Sequence, residues 1–557
     1  MTNRIPAWLL AALLAAAIAG STKTIRSAEP METQAADKAP DHSGAAPKRP
    51  EKEGEKEKEP PPVVTDHEIT LGGKTFKYRV TAGYFYLPED PQRAGDGDDG
   101  RAPPHPAPEA KPEADQPKAK IFYVSYIRQG VDDLSRRPLT FAFNGGPGSA
   151  SIWLHMGALG PRQPHLTDRG EAPPPPYQLE DNGNSWIDDT DLVFIDPMST
   201  GYSRPTAGTS ANEFYGYQPD LSSVANFIRL YTSRSARWSS PKFLCGESYG
   251  TTRAAGLSGY LQDRYGLYVN GVILVSSVLN FQTLSFAPGN DAPYPLFLPT
   301  YTATAWYHRR LAAEIESRPL ATILGESEAF ASREYPQALM QGDALAADEK
   351  SRTAAKLARL TGLPAARLEQ LNLRVPASLF FTALLSDQNR EIGRYDSRFQ
   401  GIRLHPGTDL DDFDPSYEAV SPTFVSVFND YIRRELKFES DLPYEALTRV
   451  RPWPLAPAGY LDVAETLKQA MSRNPYLKVW ICCGYYDLAT PYFAAKTTVA
   501  QMMLDPAVRP NLSMTYYDAG HMIYINRPSQ TQFKRDFETF LHSAILPASQ
   551  VVPAAAP

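Results

Sequence analysis

Cysteine is scarce in this sequence: its 557 residues contain only Cys245, Cys482 and Cys483. Three thiols are too few for a disulfide framework, and their spacing does not form a metal-binding cluster. All three lie in apolar, strand-like segments, which favours an interpretation as small buried side chains. The sequence leaves open whether two of them form a disulfide bridge, because it does not fix which thiols meet.

An excess of positive charge is also missing. The formal net charge is −7, whereas proteins that bind nucleic acid present a basic face, so no nucleic-acid partner is expected. Beyond residue 20 no apolar run approaches the length of about 20 residues that crosses a bilayer. We therefore expect no integral membrane segment in the mature chain. The 42% of apolar residues is enough for a large core.

The N-terminus has the pattern of an export signal. Arg4 precedes an apolar run over residues 7–19, and Ala17 and Ala19 supply the small side chains that a signal peptidase requires. We predict a signal peptide over residues 1–20 and an exported protein, either periplasmic or extracellular. Two flanking segments are predicted to lack a fold of their own because they are poor in large apolar residues: a disordered Pro/Lys/Glu-rich linker over 21–63 and a flexible tail over 546–557.

Strand-length apolar runs alternate with helical patterns between these ends. Period-two alternation around Gly72-Gly73 predicts a β-hairpin, and residues 218–233 and 533–541 predict helices. Further strands are predicted at residues 121–127, 139–143, 192–195, 241–245, 272–275 and 479–483. The alternation predicts one large domain over residues 64–545, of the α/β class, with a mostly parallel central sheet flanked by helices.

Two insertions interrupt this domain. Residues 89–118, rich in proline and aspartate, predict a disordered insertion between two strands of a hairpin. Residues 282–458 become rich in Ala, Leu, Arg and Glu, which predicts an inserted helical cap. Within the cap, helical spacing of apolar residues covers residues 311–323 and 343–360.

The most informative motif is Gly246-Glu247-Ser248-Tyr249-Gly250, which follows a predicted strand. In a Gly-x-Ser-x-Gly turn the serine occupies a strained strand-to-helix corner with its hydroxyl exposed above the sheet. The flanking glycines leave room for the sharp turn. Residues 251–257 have the composition of a helix start, as this geometry requires.

Three further segments lie where a serine hydrolase needs them. A glycine-rich turn over residues 144–149 offers backbone amides for an oxyanion hole. Asp487 follows a predicted strand, and His521 precedes the last predicted helix. The chain order Ser248, Asp487, His521 is that of the α/β-hydrolase triad, so we expect that fold. A plain turn, a capping aspartate and a surface histidine would not by themselves produce this order.

Taken together, these motifs resemble the serine carboxypeptidase family, peptidase family S10. The family pairs an Asn-Gly-Gly-Pro-Gly loop with a Gly-Glu-Ser-Tyr turn, and this chain has both; residues 184–186, 196–203 and 520–522 also resemble family stretches. The resemblance covers roughly residues 65–541, without the insertion and less clearly in the cap. It implies a protease that forms an acyl-enzyme and needs no cofactor and no metal.

The resemblance also implies the role of each site residue. Ser248 would be the nucleophile, His521 the general base and acid, and Asp487 the group that orients the imidazole. The amides of Gly146 and Tyr249 would form the oxyanion hole. Substrate binding, with a peptide as the expected partner, would fall to Asn144, Gly145, Glu247 and Met522.

Two positions depart from the family pattern. The family recognises a free C-terminal carboxylate with an asparagine, a tryptophan and two glutamates that share a proton. Asn144 and Glu247 match, but Ala142 and Ala158 stand in place of the tryptophan and the second glutamate. Without that partner Glu247 would ionise more readily and repel a carboxylate. We therefore expect carboxylate recognition to be altered, and either Arg162 or Arg253 to supply charge or to form a structural ion pair.

Three functions follow from these observations. The first is an exported serine-type carboxypeptidase-like hydrolase acting on peptides. The second is an esterase, acyltransferase or other exopeptidase on the same fold, distinguished by its acyl and leaving-group pockets. The third is a catalytically silent binding protein, which has no use for an exposed serine at a strained corner.

Overall fold

The computed structural model describes residues 60–88, 117–410 and 412–545. The predicted signal peptide, nearly all of the linker, most of the first insertion and the tail lie outside these residues. Every strand predicted from an apolar run is present. In chain order the strands are β1 (Val63–Leu71), β2 (Lys74–Leu87), β3 (Ala119–Arg128), β4 (Leu139–Phe143), β5 (Arg162–Pro164), β6 (Leu179–Asp181), β7 (Asp191–Ile195), β8 (Arg204–Pro205), β9 (Lys242–Glu247), β10 (Gly271–Val275), β11 (Arg390–Ile392), β12 (Gln400–Ile402), β13 (Lys478–Gly484) and β14 (Leu512–Tyr517).

Ten of these strands form one mixed sheet. Its order is β1-β2-β3-β7-β4-β9-β10-β13-β14, with β8 paired to β3. The pairs from β1 to β7 are antiparallel, so the hairpin around Gly72-Gly73 is confirmed and the first insertion joins two antiparallel neighbours. The pairs from β7 to β14 are all parallel. Their carboxyl ends meet at one edge, where ligand sites form in sheets of this kind.

Helices cover both faces of the sheet. The predicted helices at residues 218–233, 251–257 and 533–541 are confirmed. In chain order the helices are α1 (Ile152–Leu154), α2 (Tyr217–Arg234), α3 (Tyr249–Tyr265), α4 (Pro293–Tyr307), α5 (Ala313–Glu316), α6 (Leu320–Ser332), α7 (Glu334–Gln341), α8 (Ala347–Thr361), α9 (Ala365–Gln370), α10 (Ala377–Ala383), α11 (Pro415–Arg434), α12 (Ala464–Arg473), α13 (Tyr492–Gln501) and α14 (Arg527–Ala544). Within the described ranges, no helix has the length and apolar character needed to span a membrane.

The central strands are apolar throughout because both of their faces are buried. Phe141 and Leu244 belong to a core cluster shared with α2, α3 and the helices of the second insertion. Their neighbours Ala142 and Cys245 point to the opposite face, into a second cluster shared with α11 and α14. The predicted α/β architecture, with a mostly parallel sheet between helical layers, is confirmed.

The second insertion is helical from α4 to α11, but its details differ from the prediction. The prediction of a single helix over residues 311–323 is wrong, because the chain forms two helices there, α5 and α6. Pro319 has no amide hydrogen and disfavours helical backbone in the residue before it, so it separates the two helices. The helix expected over 343–360 starts later, at Ala347.

Residues 435–461 contain no helix, although the predicted cap extends to residue 458. Part of this stretch, residues 445–450, is an extended segment that we call the strap. The Thr448 amide donates to the Gly148 carbonyl oxygen at 2.9 Å, and Glu445 exchanges two backbone hydrogen bonds with Gly201 at 2.9 and 3.1 Å. The strap therefore covers the glycine-rich loop that follows β4.

Candidate active site

Ser248 forms the turn between β9 and α3. Its φ of +61° is a backbone conformation that costs a non-glycine residue about 1–3 kcal/mol. A Cβ at Gly246 would lie 2.1 Å from the Gly250 carbonyl oxygen, and a Cβ at Gly250 would lie 2.7 Å from that of Phe143. Only glycines fit at these two positions, so the predicted strained corner is present. Ser248 is half-buried and lines a pocket.

The glycine-rich loop after β4 packs against the first turn of α3. A Cβ at Gly145 would lie 2.4 Å from the amide nitrogen of Tyr249, and Gly146 has a φ of +96°. The first amides of a helix have no acceptor within the helix. Since Gly145 and Gly146 line the same pocket as Ser248, the loop and the helix start bring backbone amides to one side of the serine.

His521 follows β14 and Asp487 follows β13, so both reach the carboxyl edge of the sheet. His521 Nδ1 lies 2.8 Å from Asp487 Oδ2, and both side chains are buried. Asp487 Oδ1 accepts the amides of Ala489 and Thr490 at 2.8 and 2.9 Å, while the Thr490 hydroxyl donates to Oδ2 at 2.7 Å. We did not predict Thr490, although an Asp-x-x-Thr spacing is typical of such side-chain-to-backbone turns.

Charge and hydrogen bonds set the protonation of His521. Burial lowers the pKa of the ring, but the carboxylate and hydrogen bond of Asp487, together with Glu247, raise it more, so the net pKa is raised. The histidine backbone is fixed as well. Its amide donates to the Tyr395 carbonyl oxygen at 2.6 Å, and its carbonyl oxygen accepts the Ser276 hydroxyl at 2.6 Å.

Glu247, at the end of β9, has a partner that the sequence did not predict. Its Oε2 accepts the Tyr524 hydroxyl at 2.7 Å, and both side chains are buried. Burial raises the pKa of Glu247 to about 7, although His521 and the Tyr524 hydrogen bond oppose this change. The expectation of an unpartnered Glu247 that ionises readily is therefore wrong. No motif marks Tyr524, because the contact joins residues 277 positions apart.

The pocket beside Ser248 has apolar and aromatic walls. The Trp153 and Tyr417 ring centroids lie 5.8 Å apart, and those of Tyr395 and His521 lie 5.1 Å apart. The predicted binding residues Asn144, Gly145, Glu247 and Met522 line the same pocket, and Leu447 of the strap completes it. The sequence did not reveal the aromatic walls, because they come from separate elements.

Both arginines considered for carboxylate recognition form structural ion pairs. Arg253 is buried, bonds to both carboxylate oxygens of Asp220 at 2.9 and 3.1 Å, and donates to the Asn144 carbonyl oxygen at 2.7 Å. Arg162 pairs with Asp181 and, at 2.8 Å, with Glu435. Neither arginine lines the pocket, so the structural alternative is the correct one for both.

Two other groups have side chains suited to metal or redox chemistry: a cluster of three carboxylates and the three cysteines. Asp188, Asp189 and Glu538 are the one carboxylate group of metal-binding spacing in the described part of the chain. Lys534 Nζ lies 2.7 Å from Asp188 and 3.4 Å from Glu538, so an ammonium group already lies among these carboxylates and offsets part of their charge. The three cysteines are free and buried.

The fold and the site together define a class of protein. A Gly-x-Ser-x-Gly corner follows β9, an aspartate follows β13 and a histidine follows β14, all at one edge of a mostly parallel sheet. This arrangement is that of the α/β-hydrolase fold, and the chain has this fold.

The family model described as "Serine carboxypeptidase", Peptidase_S10, matches residues 112–265. The matched segment contains the glycine-rich loop and the serine corner. The predicted resemblance to the serine carboxypeptidase family is confirmed over this segment. None of the curated proteins matches the chain in sequence.

Solved structures with a similar arrangement share little sequence with this chain. A prohormone-processing carboxypeptidase from Saccharomyces cerevisiae is 14% identical, with 83% of this chain and 91% of that chain covered and a TM-score of 0.47. A proline iminopeptidase from Mycobacterium smegmatis is 12% identical, with coverage of 76% and 95% and a TM-score of 0.33. A monoglyceride lipase from Saccharomyces cerevisiae is 12% identical, with coverage of 77% and 93% and a TM-score of 0.33. The fold assignment therefore rests on the strand order and the site.

Proposed function

We propose that the protein is a serine-type carboxypeptidase-like hydrolase that cleaves peptide bonds through a covalent acyl-enzyme. The observation that carries the proposal is the pocket shared by Ser248 and His521, with Asp487 bonded to the far side of the histidine ring at 2.8 Å. A binding protein has no need to hold a serine in a strained conformation beside a buried His–Asp pair.

Each residue then has a chemical role. His521 takes the proton of the Ser248 hydroxyl as the oxygen attacks the scissile carbonyl, and later gives it to the leaving amine. Asp487 fixes the ring orientation and stabilises the imidazolium that forms. The amides of Gly146 and Tyr249 donate to the oxyanion, since the glycine-rich loop meets the start of α3 here. Water then releases the acyl group by the same steps in reverse.

The pocket walls support a peptide substrate with an apolar group near the scissile bond. Trp153, Tyr417 and Met522 supply apolar surface, while Asn144 and Glu247 supply polar groups beside the nucleophile. This combination of apolar walls and a few convergent polar groups is typical of specific ligand sites.

A second function is favoured by one specific observation. Ala142 and Ala158 are both buried and carry none of the polar groups with which the family binds a terminal carboxylate. An esterase, an acyltransferase or another exopeptidase would need the same nucleophile and oxyanion amides but a different leaving-group pocket. The two functions share the chemistry of Ser248 and differ in the group that leaves.

The proposal is tested first at the nucleophile. A fluorophosphonate probe is expected to label the wild-type protein and the Ser258→Ala variant, and not Ser248→Ala. Ser258 is a matched control because it is a buried serine in α3, the helix that follows Ser248, and its hydroxyl donates to the Ala255 carbonyl oxygen at 2.7 Å. Absence of labelling in folded wild-type protein would support the catalytically silent alternative.

Digestion of a peptide library, followed by mass spectrometry, separates the remaining functions. Loss of single C-terminal residues supports the carboxypeptidase. The second function is supported by intact peptides together with cleaved esters, or by loss of residues from the N-terminus alone. Export is part of the same proposal and is supported by the N-terminal apolar run after Arg4. N-terminal sequencing of protein recovered outside the cytoplasm is expected to give a chain that starts near residue 21.

A further inference from the structure

A second cleft lies at the amino edge of the sheet, where the chain enters the parallel strands. It is formed by the segments just before β10, β13 and β14 and by the end of α14, and its volume is about 580 Å³. Small-molecule sites span about 300–1,000 Å³. Because Ser248 and His521 lie at the carboxyl edge, the strands separate this cleft from the pocket. We call it the amino-edge cleft, and its side chains include Tyr268, Asn270, Asn474, Tyr476, Lys478 and Asn511.

Two tyrosine rings in the amino-edge cleft are held at the surface by buried neighbours. Tyr268 is 50% exposed and stands between Leu267 and Val269, which are both buried. Tyr476 is 64% exposed and directly precedes the buried Leu477. The buried neighbours fix the backbone on which each ring is mounted. Single exposed aromatic residues are common, but two that line one cleft form an apolar surface for a ligand.

Three asparagine side chains supply polar groups, and each is fixed by a hydrogen bond to the backbone. Asn270 Oδ1 accepts an amide of β9 at 3.0 Å, Asn474 Nδ2 donates to the segment before β10 at 3.1 Å, and Asn511 Nδ2 donates to the segment before β13 at 2.6 Å. A side-chain amide has two N–H hydrogens. Within the described residues each asparagine therefore keeps at least one N–H group for a ligand, and the fixed side chains need little reordering when it binds.

The amino-edge cleft offers donors with little charge. Lys478 is the one charged residue among the described residues that line it, and its ammonium group donates to Asn511 Oδ1 at 2.5 Å. Sites for phosphate groups collect arginine and lysine side chains, and sites for hard cations use carboxylates. Neither composition is found among these described residues. The cleft therefore fits a neutral ligand that has many acceptor oxygens.

A pyranose ring has both properties that the amino-edge cleft requires. One face presents polarised C–H groups, which stack on the electron-rich face of an aromatic ring, and the rim carries several hydroxyl groups. We propose that the cleft binds a neutral, equatorially linked pyranose chain, with Tyr268 and Tyr476 stacked on sugar rings and the asparagine amides bonded to hydroxyl oxygens. Equatorial linkage keeps successive sugar rings in one extended ribbon, which two tyrosines on separate segments can contact together.

The location of the amino-edge cleft gives this binding a consequence for the protein. Because the cleft and the Ser248 pocket lie at opposite edges of the sheet, a bound polysaccharide leaves the pocket open. The protein is then held at a polysaccharide surface with Ser248 facing away from it. The inference goes beyond the proposed function and does not depend on it.

A proline-rich peptide is the main alternative ligand, since such peptides also bind aromatic clefts. The chain itself continues from α14 into residues 546–557, which contain three prolines. An extended peptide offers one carbonyl oxygen per residue, whereas a single pyranose ring offers several hydroxyl groups. The donors of three asparagines and Lys478 around one cleft therefore favour the sugar.

Isothermal titration calorimetry of the full chain with cellotetraose and with chitotetraose tests the proposal. At least one of these neutral β-linked sugars is expected to bind at a single site. Tyr268→Ala and Tyr476→Ala are each expected to weaken binding about tenfold, which is about 1.4 kcal/mol and the size of one aromatic stacking contact. Tyr476→Phe keeps the ring and is expected to stay within about threefold of the wild type. Tyr460→Ala is the matched control with wild-type affinity, because Tyr460 is 40% exposed and lies outside the cleft.

The urea unfolding midpoint shows that each variant is folded, and replacement of these exposed side chains is expected to leave it nearly unchanged. If neither sugar binds the wild-type protein, or if both alanine variants keep wild-type affinity, the inference is overturned. The same holds if Tyr476→Phe binds as weakly as Tyr476→Ala, or if a synthetic peptide with the sequence of residues 546–557 binds and neither sugar does. None of these outcomes involves Ser248, so the proposed function is tested separately.

Discussion

Replacement of Asp220 by asparagine would leave a buried cation without its counter-charge. The Arg253 guanidinium is 1% exposed, and its hydrogen bonds go to the two carboxylate oxygens of Asp220 and the carbonyl oxygen of Asn144. Arginine does not give up its proton in proteins, so the charge cannot be removed by titration. We expect Asp220→Asn to lower the free energy of unfolding by about 3–5 kcal/mol, the usual loss when one partner of a buried pair is removed.

Replacement of Arg253 instead of Asp220 gives a loss of stability that depends on pH in a different way. In Arg253→Met the unpaired group is a carboxyl, and burial already raises the pKa of Asp220 in the intact protein. Without the arginine the pKa rises further, so the folded state binds a proton more tightly than the unfolded state. The loss of stability is then greatest above the folded pKa and shrinks as pH falls toward the unfolded value of about 3.9. In Asp220→Asn nothing titrates at this position, whereas in the wild type the raised pKa of Asp220 adds stability as pH falls. The loss for Asp220→Asn is therefore expected to be no smaller at pH 5 than at pH 8.

Urea unfolding followed by tryptophan fluorescence at the two pH values measures both effects. The double variant Asp220→Leu/Arg253→Met removes both charges and is expected to recover most of the loss. Asp348→Asn, which breaks the exposed pair with Arg352, is the control and is expected to leave the unfolding midpoint unchanged. A loss below about 1 kcal/mol for Asp220→Asn, the range of exposed pairs, would refute the reasoning, as would a loss that is smaller at pH 5 than at pH 8.

The remaining predictions concern the site and the core. Asp487→Asn removes the anion that raises the pKa of His521, so kcat is expected to fall by about 10³–10⁴, and a fall of less than tenfold in ester hydrolysis would contradict the assigned role. In the wild type, kcat/KM for esters is expected to decrease as pH falls through the raised pKa of His521. Gly145→Ala places a methyl group 2.4 Å from the Tyr249 amide nitrogen. We expect this variant to lose about 1–3 kcal/mol of unfolding free energy in urea. An unchanged urea midpoint would argue against this close approach. A thiol reagent is expected to modify none of the three buried cysteines in native buffer and all of them in denaturant, since burial raises the pKa of each thiol.

Most of the sheet was predictable because its strands are apolar on both faces. The run that became β4 contains Phe141, Ala142 and Phe143, all fully buried, and no helical spacing competes with it. Helices were predicted less well where a single residue changes the backbone, as Pro319 does. The strap could not be predicted, because its conformation is set by hydrogen bonds to Gly148 and Gly201, which lie far away in the sequence.

The nine candidate site residues could be predicted from motifs, because the chemistry of a serine hydrolase prescribes both the type and the order of such residues. Seven of them line one pocket, and Asp487 is hydrogen-bonded to His521, which lines it. The ninth, Tyr249, begins the adjoining helix. The side chains that surround them were not predicted. Tyr524 and the aromatic walls are ordinary apolar residues in the sequence, and only the fold brings them to Glu247 and His521.

The strap has a mechanical consequence for the glycine-rich loop. Its residues follow the last helix of the second insertion and are hydrogen-bonded to the loop through Thr448 and Gly148. A displacement of the strap would therefore pull directly on the backbone that carries the Gly146 amide. We expect the Thr448 amide to exchange its hydrogen as slowly as the amides of the central strands. Glycine substitutions in the strap, other than at Leu447, which lines the pocket, are expected to loosen the loop without changing the pocket wall.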